Sequence, residues 1–516
     1  MLSVKRLQTV ARISCVLCVD CRSDAARTVL TSAGAHVLRS CARSTLYQQR
    51  CAYHPRMQDA ITARAVAFPL YNAGSVSEFL DNERILGLGS DDAHPVQTAT
   101  QPSSPVGALG RAQRHPQRLH TRLQLSTSPA LRSFYTNAWG SLRIGRVLED
   151  LDALAGSIAL RHVALPDINT VTACVDKIRI LQHHQSEPTG ISTESVKPAR
   201  SAPPWSAIHF DLLYNGHLFH VGNTSMTISC EVARADRDSP PFLEAVFVFV
   251  ARDASGNNSI PVPGLLLATA ADREAFARGE KLAAERRKSR LQQHRHAGLA
   301  ASTSHQSSRE SLSEHASASG QSEKARLDSS TVAPKSSANS VSIDETTMRT
   351  MHIVQPDVRN LFGFMFGGTV LLWSFELAYL TVLQHASMSL TVSKESARQD
   401  AGLSIVPRLV AIGDIDFHRP IPVGSILEMR SSIAGVRGDR VAVRLSVRLW
   451  SAGASPARIA FIEDANLITN TMTFLFQVPC TVSTSGISHT LRSVYPTTPE
   501  QAEESARALA MLESDT

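Results

Sequence analysis

The residues of this sequence best suited to chemistry form one pattern that occurs twice. Asn137 opens an N-x-x-G motif, Gly145 follows it by eight residues, and the acid Asp152 comes next. The same order recurs 223 residues later in Asn360, Gly368 and Glu376. The chain therefore carries a duplicated unit, and each copy combines a polar amide, a glycine-containing turn and an acid on an apolar segment. This combination is typical of an active-site framework.

The glycines of this pattern stand where a helix is predicted to begin. Gly367-Gly368 lets a backbone or a ligand come close, and the free N–H groups of a helix N-terminus favour developing negative charge. The first unit has the single glycine of Ile144-Gly145 at this place. A plain turn at a helix start is the alternative interpretation, but duplication after N-x-x-G favours a functional one.

The two acids, Asp152 and Glu376, are the candidates for activating an attacking oxygen. A carboxylate can act as a general base on water or attack directly to form an anhydride. Asp152 lies seven residues after the glycine of its unit and Glu376 lies eight after, which turns Glu376 by about 100° around its helix. Asp152 could instead be a surface acid like its neighbours Glu149 and Asp150, and Glu376 could be the buried partner of a cation.

Hydrophobic periodicity predicts the same order of elements in both halves. In the first half we expect a helix over residues 144–162, strands over 170–180, 209–220, 225–233 and 242–252, and a charged, exposed helix over 272–293. In the second we expect a helix over 367–386 and strands over 409–417, 425–434, 440–450 and 470–478, with a turn at 435–438. Residues 185–204 read as a loop insertion and residues 301–345 as a serine-rich linker. A long helix followed by antiparallel strands, twice, indicates an α+β fold.

Six segments of the sequence carry a family resemblance: residues 143–152, 172–178, 221–226, 245–253, 360–368 and 417–424. They resemble the hotdog-fold acyl-CoA thioesterases, and in particular the mitochondrial two-hotdog type called acyl-coenzyme A thioesterase 9. The resemblance implies tandem hotdog domains, each a long central helix wrapped by an antiparallel sheet. It places domain 1 at residues 131–293, a linker at 294–346, domain 2 at 347–495 and a tail at 496–516, after a partly disordered extension at 51–130.

The resemblance also implies composite sites, in which the asparagine of one unit faces the acid of the other. Asn360 then pairs with Asp152, and Asn137 with Glu376. We expect the first site to work and the second to be weak or inactive. The implied reaction is hydrolysis of fatty acyl-CoA to free acid and coenzyme A, with no cofactor beyond the substrate itself. Relatives of this type also suggest a homo-oligomer, a trimer of the double unit.

The residues that hold coenzyme A are predicted at two hairpins and at the helix starts. Arg437 and Arg440 could bind phosphates, which prefer forked cationic donors, and Thr224 and Ser225 occupy the matching turn of the first unit. Ordinary hairpin chemistry is the alternative. Besides these, Gly367 and Gly145 are candidate substrate contacts.

Two other functions stay open at this point. One is a non-catalytic acyl-CoA sensor or scaffold whose duplicated sites have decayed. The other is a hydratase-type enzyme on the same fold, which would need a histidine beside the acid. His352, eight residues before Asn360, does not stand at a helix start.

Composition narrows the remaining classes. The net charge is +6 and aromatic residues make up only 5% of the chain, with no basic stripe interleaved with aromatics, so nucleic acid is not an expected partner. No apolar run is long enough for a membrane span. Cys18 and Cys21 form a C-x-x-C, but no second pair or histidine cluster follows at zinc-finger spacing, so a metal site is not expected. Residues 1–50 contain eight basic residues and two acids, which is typical of a mitochondrial transit peptide and predicts the matrix.

Overall fold

A computed structural model describes the chain at residues 64, 67–68, 112–165, 167–181, 208–235, 240–253, 256, 258–288, 339–389, 406–451, 467–478 and 491–514. The predicted transit peptide, the loop insertion at 185–204 and nearly all of the serine-rich linker lie outside the described residues. So does most of the predicted extension at 51–130.

Between residues 112 and 288 the described part of the first half contains three α-helices and seven strands. In chain order they are β1 (Gln113–Arg114), β2 (Arg118–Leu123), α1 (Pro129–Tyr135), α2 (Ile144–Val163), β3 (Asn169–Ile180), β4 (Leu212–Val221), β5 (Ser225–Arg234), β6 (Leu243–Arg252), β7 (Gly264–Leu265) and α3 (270–288).

The described part of the second half contains two α-helices and seven strands, besides short 3-10 helices at Asp344–Thr346 and Pro356–Val358. They are β8 (Ser340–Ser342), β9 (Met348–Ile353), α4 (Gly367–Ser389), β10 (Arg408–Phe417), β11 (Ile426–Arg437), β12 (Arg440–Ser451), β13 (Ile468–Gln477), β14 (Ser493–Tyr495) and α5 (Pro499–Ser514).

Ten of these strands form one antiparallel sheet that runs through both halves. The order is β2-β4-β5-β6-β3-β10-β13-β12-β11-β9, and the halves join where β3 pairs with β10, for example Ile412 with Ile178. Each half has the same connection pattern, an edge strand, a long helix, the joining strand and then three strands between them. The α+β fold with tandem hotdog domains is therefore confirmed.

Helix α2 is the core of the first half. Its Leu, Ala and Ile side chains are buried all around the helix rather than on one stripe, as expected of a helix enclosed by its own sheet and a neighbouring helix. It ends at Ala164, which adopts a left-handed conformation (φ 49°) and donates its N–H to the Leu160 carbonyl. A side chain at Gly216 of β4 would lie 2.5 Å from Ile158 Cδ1, so this glycine lets α2 approach the sheet.

Helices α2 and α4 cross at their N-terminal ends, where each carries a glycine. A Cβ at Gly145 would lie 2.7 Å from Leu372 Cδ1, and a Cβ at Gly368 would lie 2.8 Å from the Glu149 carbonyl oxygen. Residues 145 and 368 are related by the 223-residue offset, and so are 149 and 372. The crossing is therefore pseudosymmetric, and it brings the start of each helix against the other.

The structure corrects the predicted domain bounds and one turn. Strand β2 pairs with β4, so the first unit begins before residue 131. Strand β8 lies within the predicted linker and pairs with β14. The strand pair predicted around residues 435–438 is confirmed, but its turn is shorter than expected: β11 continues to Arg437 through a register shift beside Gly435, and the turn is Gly438-Asp439.

The predicted C-terminal tail is likewise part of the fold. Helix α5 packs on the sheet, where Ala508 and Leu512 join a buried cluster with Ala434 and Ala442. No helix among the described residues is long and apolar enough to cross a membrane.

The packing of α5 predicts a contrast between two leucines of that helix. Leu512 is 1% exposed and Leu509 is 36% exposed. Leu512→Ala should lower the free energy of unfolding by about 2–4 kcal/mol, because it leaves a cavity. Leu509→Ala should cost less than about 1 kcal/mol. Urea unfolding followed by circular dichroism measures both, and equal effects would mean that α5 does not pack as described.

Candidate active site

Asp152 is fully enclosed at the crossing of the two central helices. Its side chain belongs to α2 and is 1% exposed. Oδ2 accepts a hydrogen bond of 2.7 Å from the backbone N–H of Gly368, 216 residues away in the first turn of α4. Oδ1 accepts one of 2.8 Å from the Thr172 hydroxyl of β3. Two of the predicted site residues, Asp152 and Gly368, are thus brought into direct contact.

The Gly367-Gly368 pair is needed because there is no room for a Cβ at either position. At Gly367 a Cβ would lie 2.9 Å from Asp152 Oδ2, and at Gly368 it would lie 2.9 Å from the Glu149 Cα. The Gly367 N–H makes no hydrogen bond to any described residue. A free donor therefore stands at the positive end of α4, beside the carboxylate.

The pKa of Asp152 is raised to about 6. Burial is the main cause, and the nearby Glu149 charge adds to it, while the hydrogen bonds from Thr172 and Gly368 act in the opposite direction. The folded protein thus binds this proton more tightly than the unfolded chain. This group's contribution to stability therefore falls as the pH rises from about 4 through about 6. A carboxylate tuned in this way is suited to accept and return a proton near neutral pH.

The two acids next to Asp152 are not on the surface, as one interpretation of the sequence had it. Asp150 is 0% exposed and Glu149 is 5% exposed. Asp150 accepts hydrogen bonds from Arg64 Nε at 2.9 Å and from the hydroxyls of Tyr135 at 2.6 Å and Tyr214 at 3.0 Å. With all these donors committed to it, Asp150 anchors the structure and is not available as a base.

Glu149 links the same arginine to the start of α4. It accepts from Arg64 Nη2 and Arg146 Nη1, each at 2.7 Å, and from the Thr369 hydroxyl at 3.0 Å. Burial alone would raise the pKa of Glu149, but the two arginines outweigh it and lower that pKa. The chain Arg64–Glu149–Thr369 thus fixes the N-terminus of α4 against α2.

The duplicated asparagines close loops of the same shape. Asn137 Oδ1 accepts from the backbone N–H groups of Trp139 at 3.0 Å and Ser141 at 2.9 Å. Asn360 Oδ1 does the same with Phe362 at 2.9 Å and Phe364 at 3.1 Å. The motif glycines of both loops have positive φ, 82° at Gly140 and 81° at Gly363, which explains the N-x-x-G spacing.

The described contacts do not join either asparagine to an acid. Each Asn side chain uses its oxygen within its own loop, and its amide NH₂ makes no hydrogen bond to a described residue. The pairings of Asn360 with Asp152 and of Asn137 with Glu376 stay predictions. A substrate carbonyl could still be met by the free amide NH₂.

The second pseudosymmetric site has no acid at the position of Asp152. The 223-residue offset maps Asp152 onto Phe375, which packs among Tyr379, Phe474 and Phe476 at ring-centroid distances of 6.0–6.4 Å. Glu376 instead accepts from Arg143 Nε at 2.9 Å and Nη2 at 2.5 Å. The extra residue noted in the sequence therefore directs Glu376 to a cation. This pair is partly exposed, rather than buried as the alternative interpretation had it.

The predicted coenzyme A contacts lie at two ends of the sheet. Ser225 pairs with Val250, which pairs with Val171 next to Thr172, so the Thr224–Ser225 turn shares the end of the sheet that holds Thr172. Arg440 pairs with Gln477, which belongs to the opposite end.

The two hairpin arginines are therefore displaced from the Asp152 site. Gln477 also pairs with Arg408, at the end of the sheet beside the second site. Arg437 forms an ion pair with Glu513 of α5. Whether any hairpin residue binds substrate stays a prediction.

No cluster of His, Cys, Asp and Glu among the described residues could hold a metal ion.

The residues that the sequence interpretation missed are Thr172 and Arg64. Thr172 lies in the segment 172–178 that carries the family resemblance, but the sequence does not distinguish it from the other threonines of the strand. Arg64 is joined to its partners across 85 and 86 residues, and nothing in the local sequence indicates those contacts.

The buried ionic cluster predicts a large penalty for removing its cation. Arg64→Gln should lower the free energy of unfolding by about 3–5 kcal/mol, because it leaves the buried Asp150 without its charge partner and Glu149 with Arg146 alone. Arg507→Gln is the matched control, since Arg507 also pairs with an acid, Glu503, but both side chains are more than half exposed. It should cost less than about 1 kcal/mol. Equal losses in thermal or urea unfolding would contradict the buried cluster.

No protein-family model matches the chain. Among curated proteins it is similar to "Acyl-coenzyme A thioesterase 10, mitochondrial" of Mus musculus, with 27% identity over 339 residues, 64% of this chain and 66% of the relative. "Acyl-coenzyme A thioesterase 9, mitochondrial" of the same species is 27% identical over 333 residues, 63% of this chain and 64% of the relative. "Acyl-coenzyme A thioesterase 2, chloroplastic" of Humulus lupulus is 27% identical over 394 residues, 73% of this chain and 76% of the relative.

The matches span just under two thirds of the length of the two mouse proteins. The proteins found include mitochondrial acyl-CoA thioesterases 9 and 10, which is the type that the sequence segments resemble. The resemblance carried by the six sequence segments is thus confirmed, and the chain has the mitochondrial acyl-CoA thioesterases as its relatives.

Proposed function

We propose that this protein hydrolyses acyl-CoA thioesters to a free acid and coenzyme A. The observation that carries the proposal is the buried Asp152 carboxylate, hydrogen-bonded to the Gly368 N–H at the start of α4 and with a pKa of about 6. Such a group can take a proton from water at neutral pH. The relatives named as acyl-CoA thioesterases support the choice of substrate class.

In the proposed reaction Asp152 acts as a general base. It takes one proton from a water molecule, whose oxygen forms a bond to the thioester carbon. The carbonyl oxygen becomes negative and is stabilised by the Gly367 N–H and the positive end of α4. When the carbon–sulfur bond breaks, the proton on Asp152 goes to the coenzyme A sulfur, and the carboxylate is restored.

One catalytic centre per chain is part of the proposal. The second site has Phe375 where the first has Asp152, and its nearest acid, Glu376, is paired with Arg143. A phenyl ring cannot accept a proton from water, so the second site lacks the group that the reaction needs.

The hydratase alternative gains no support from His352, the histidine considered in the sequence. The His352 ring stacks on Trp373 with centroids 4.3 Å apart, and its Nε2 lies 3.2 Å from the Thr350 hydroxyl. It is not hydrogen-bonded to Asp152, whose hydrogen-bond partners among the described residues are Thr172 and Gly368. The sensor alternative differs from hydrolysis only in turnover, so an assay decides between them.

The place of action that we propose is the mitochondrion, as for the named mouse, bovine and human relatives. The arginine-rich composition of residues 1–50 supports import, and the matrix is the expected compartment. Assembly of the double unit into a trimer stays a prediction from the family resemblance.

Replacing the acid tests the proposed function directly. Asp152→Asn should lower kcat for acyl-CoA hydrolysis by about 100-fold or more, because the general base is lost. Glu376→Gln should lower kcat less than about threefold if the second site does not contribute. Thiol release from short, medium and long acyl-CoAs measures both variants. Binding of acyl-CoA without turnover by the unmodified protein would favour the sensor function instead.

The raised pKa of Asp152 predicts a pH profile. The value of kcat/KM should rise with pH through about 6 and level off above it, because only the carboxylate can accept the proton. Thr172→Val should move this midpoint upward by about one unit, since the lost hydrogen bond favoured the charged form. Thr170→Val, a buried threonine of the same strand, is the control and should leave the midpoint in place. A profile that falls between pH 5 and 7 would contradict Asp152 as the base.

A further inference from the structure

A cavity of about 990 Å³ lies at the pseudosymmetric counterpart of the Asp152 site. It is lined by the Asn137 loop, the start of α2, the Phe375–Leu380 stretch of α4 and the start of β10. Its size is at the upper end of the range for small-molecule pockets, about 300–1,000 Å³. Both units contribute to it, so the duplication that built the Asp152 site also built this space.

The walls of the cavity are largely aromatic and aliphatic. Phe375 takes the place that Asp152 has in the first site, and Tyr379 follows it one turn later. The ring centroids of Trp139 and Tyr379 are 5.3 Å apart. Phe210 and Phe242 also line the cavity. Such walls suit an apolar chain, because burying each methylene contributes about 0.8 kcal/mol.

The charged groups of the lining are three arginines and one acid. Arg143 is held by Glu376, and the Arg234 guanidinium lies 3.9 Å from the centroid of the Phe210 ring. Arg408 completes the set. The lining therefore carries an excess of positive charge, and guanidinium groups suit the oxygens of a carboxylate or a phosphate.

We propose that this cavity binds an amphiphile with one apolar chain and an anionic head, and that it holds this ligand without hydrolysing it. The aromatic walls receive the chain, and the arginines meet the head. Hydrolysis is not expected there, because Phe375 replaces the carboxylate. The inference does not rest on the proposed thioesterase activity, since it concerns binding at a different place and is measured as binding.

Trp139 provides a reporter for this cavity, because its side chain lines the space and is 47% exposed. The full chain is titrated with dodecanoate and, separately, with S-dodecyl-coenzyme A, a thioether that cannot be hydrolysed. Trp139→Phe identifies which part of the fluorescence change belongs to the cavity. We expect a saturable change in Trp139 fluorescence with at least one of these probes.

A pair of matched variants tests the site itself. Leu380→Glu adds a negative charge at the cavity, where Leu380 is 47% exposed, and should weaken binding by about tenfold or more, which is about 1.4 kcal/mol. Met351→Glu adds the same charge on β9, outside the lining, where Met351 is 51% exposed, and should change binding less than about twofold. Both positions are exposed, so neither variant should prevent folding.

The two probes distinguish the source of the anionic head. A response to dodecanoate alone assigns the site to free fatty carboxylates, and a response to the thioether as well extends it to the phosphates of coenzyme A. The proposal is overturned if neither probe gives a saturable change or if both variants weaken binding equally. Equally tight binding of uncharged dodecanol would also overturn it, because the arginines would then have no role.

Discussion

The hydrogen bond from the Gly368 N–H to the Asp152 carboxylate is the contact on which the arrangement of both units depends. It can form only if the starts of α2 and α4 touch, and they touch only because residues 145, 367 and 368 are glycines. The crossing in turn needs the two half-sheets to be joined at β3 and β10. The reactive carboxylate and the continuous sheet are therefore consequences of one geometry.

The crossing of the helices buries carboxylate side chains of α2, and removing such charges from water costs free energy. Three acids of α2 are buried within four residues of the chain, namely Glu149, Asp150 and Asp152. Arg64 offsets the first two directly, which leaves Asp152 as the acid held by neutral donors alone. Burial raises the pKa of Asp150 as well as that of Asp152, but only Asp150 is held by a cation, so the position of Arg64 helps to separate a structural acid from a reactive one.

Much of this fold could be predicted from the sequence, because its central elements carry clear periodic signals. The predicted helix over 144–162 corresponds to Ile144–Val163, and the strand over 409–417 corresponds to Arg408–Phe417. Edge strands were missed, since β2 and β9 are short and alternate apolar with charged residues. Helix α5 was missed as well, because its large apolar residues, Leu509, Met511 and Leu512, are confined to its last turns.

The site could be predicted only in part, and the reason is the range of its contacts. Asp152 and Gly368 followed from a spacing that occurs twice, and the one-residue shift of Glu376 was visible in the same comparison. The identity of the residue at the matching position, Phe375, was also in the sequence, but only its packing shows what replaces the acid. The burial of Glu149 and Asp150 depends on Arg64, and no local pattern reports a contact across 86 residues.

Because the two units belong to one polypeptide, their sequences can diverge independently of each other. In a symmetric pair of identical chains, a substitution appears in both copies at once. Replacing the aspartate by phenylalanine there would remove the catalytic carboxylate from both sites. Here the acid is kept at 152 while a phenylalanine stands at 375, and each molecule still holds one of each. Joining the copies in one polypeptide thus permits inherited asymmetry, in which one half keeps the chemistry and the other is free to acquire a different ligand.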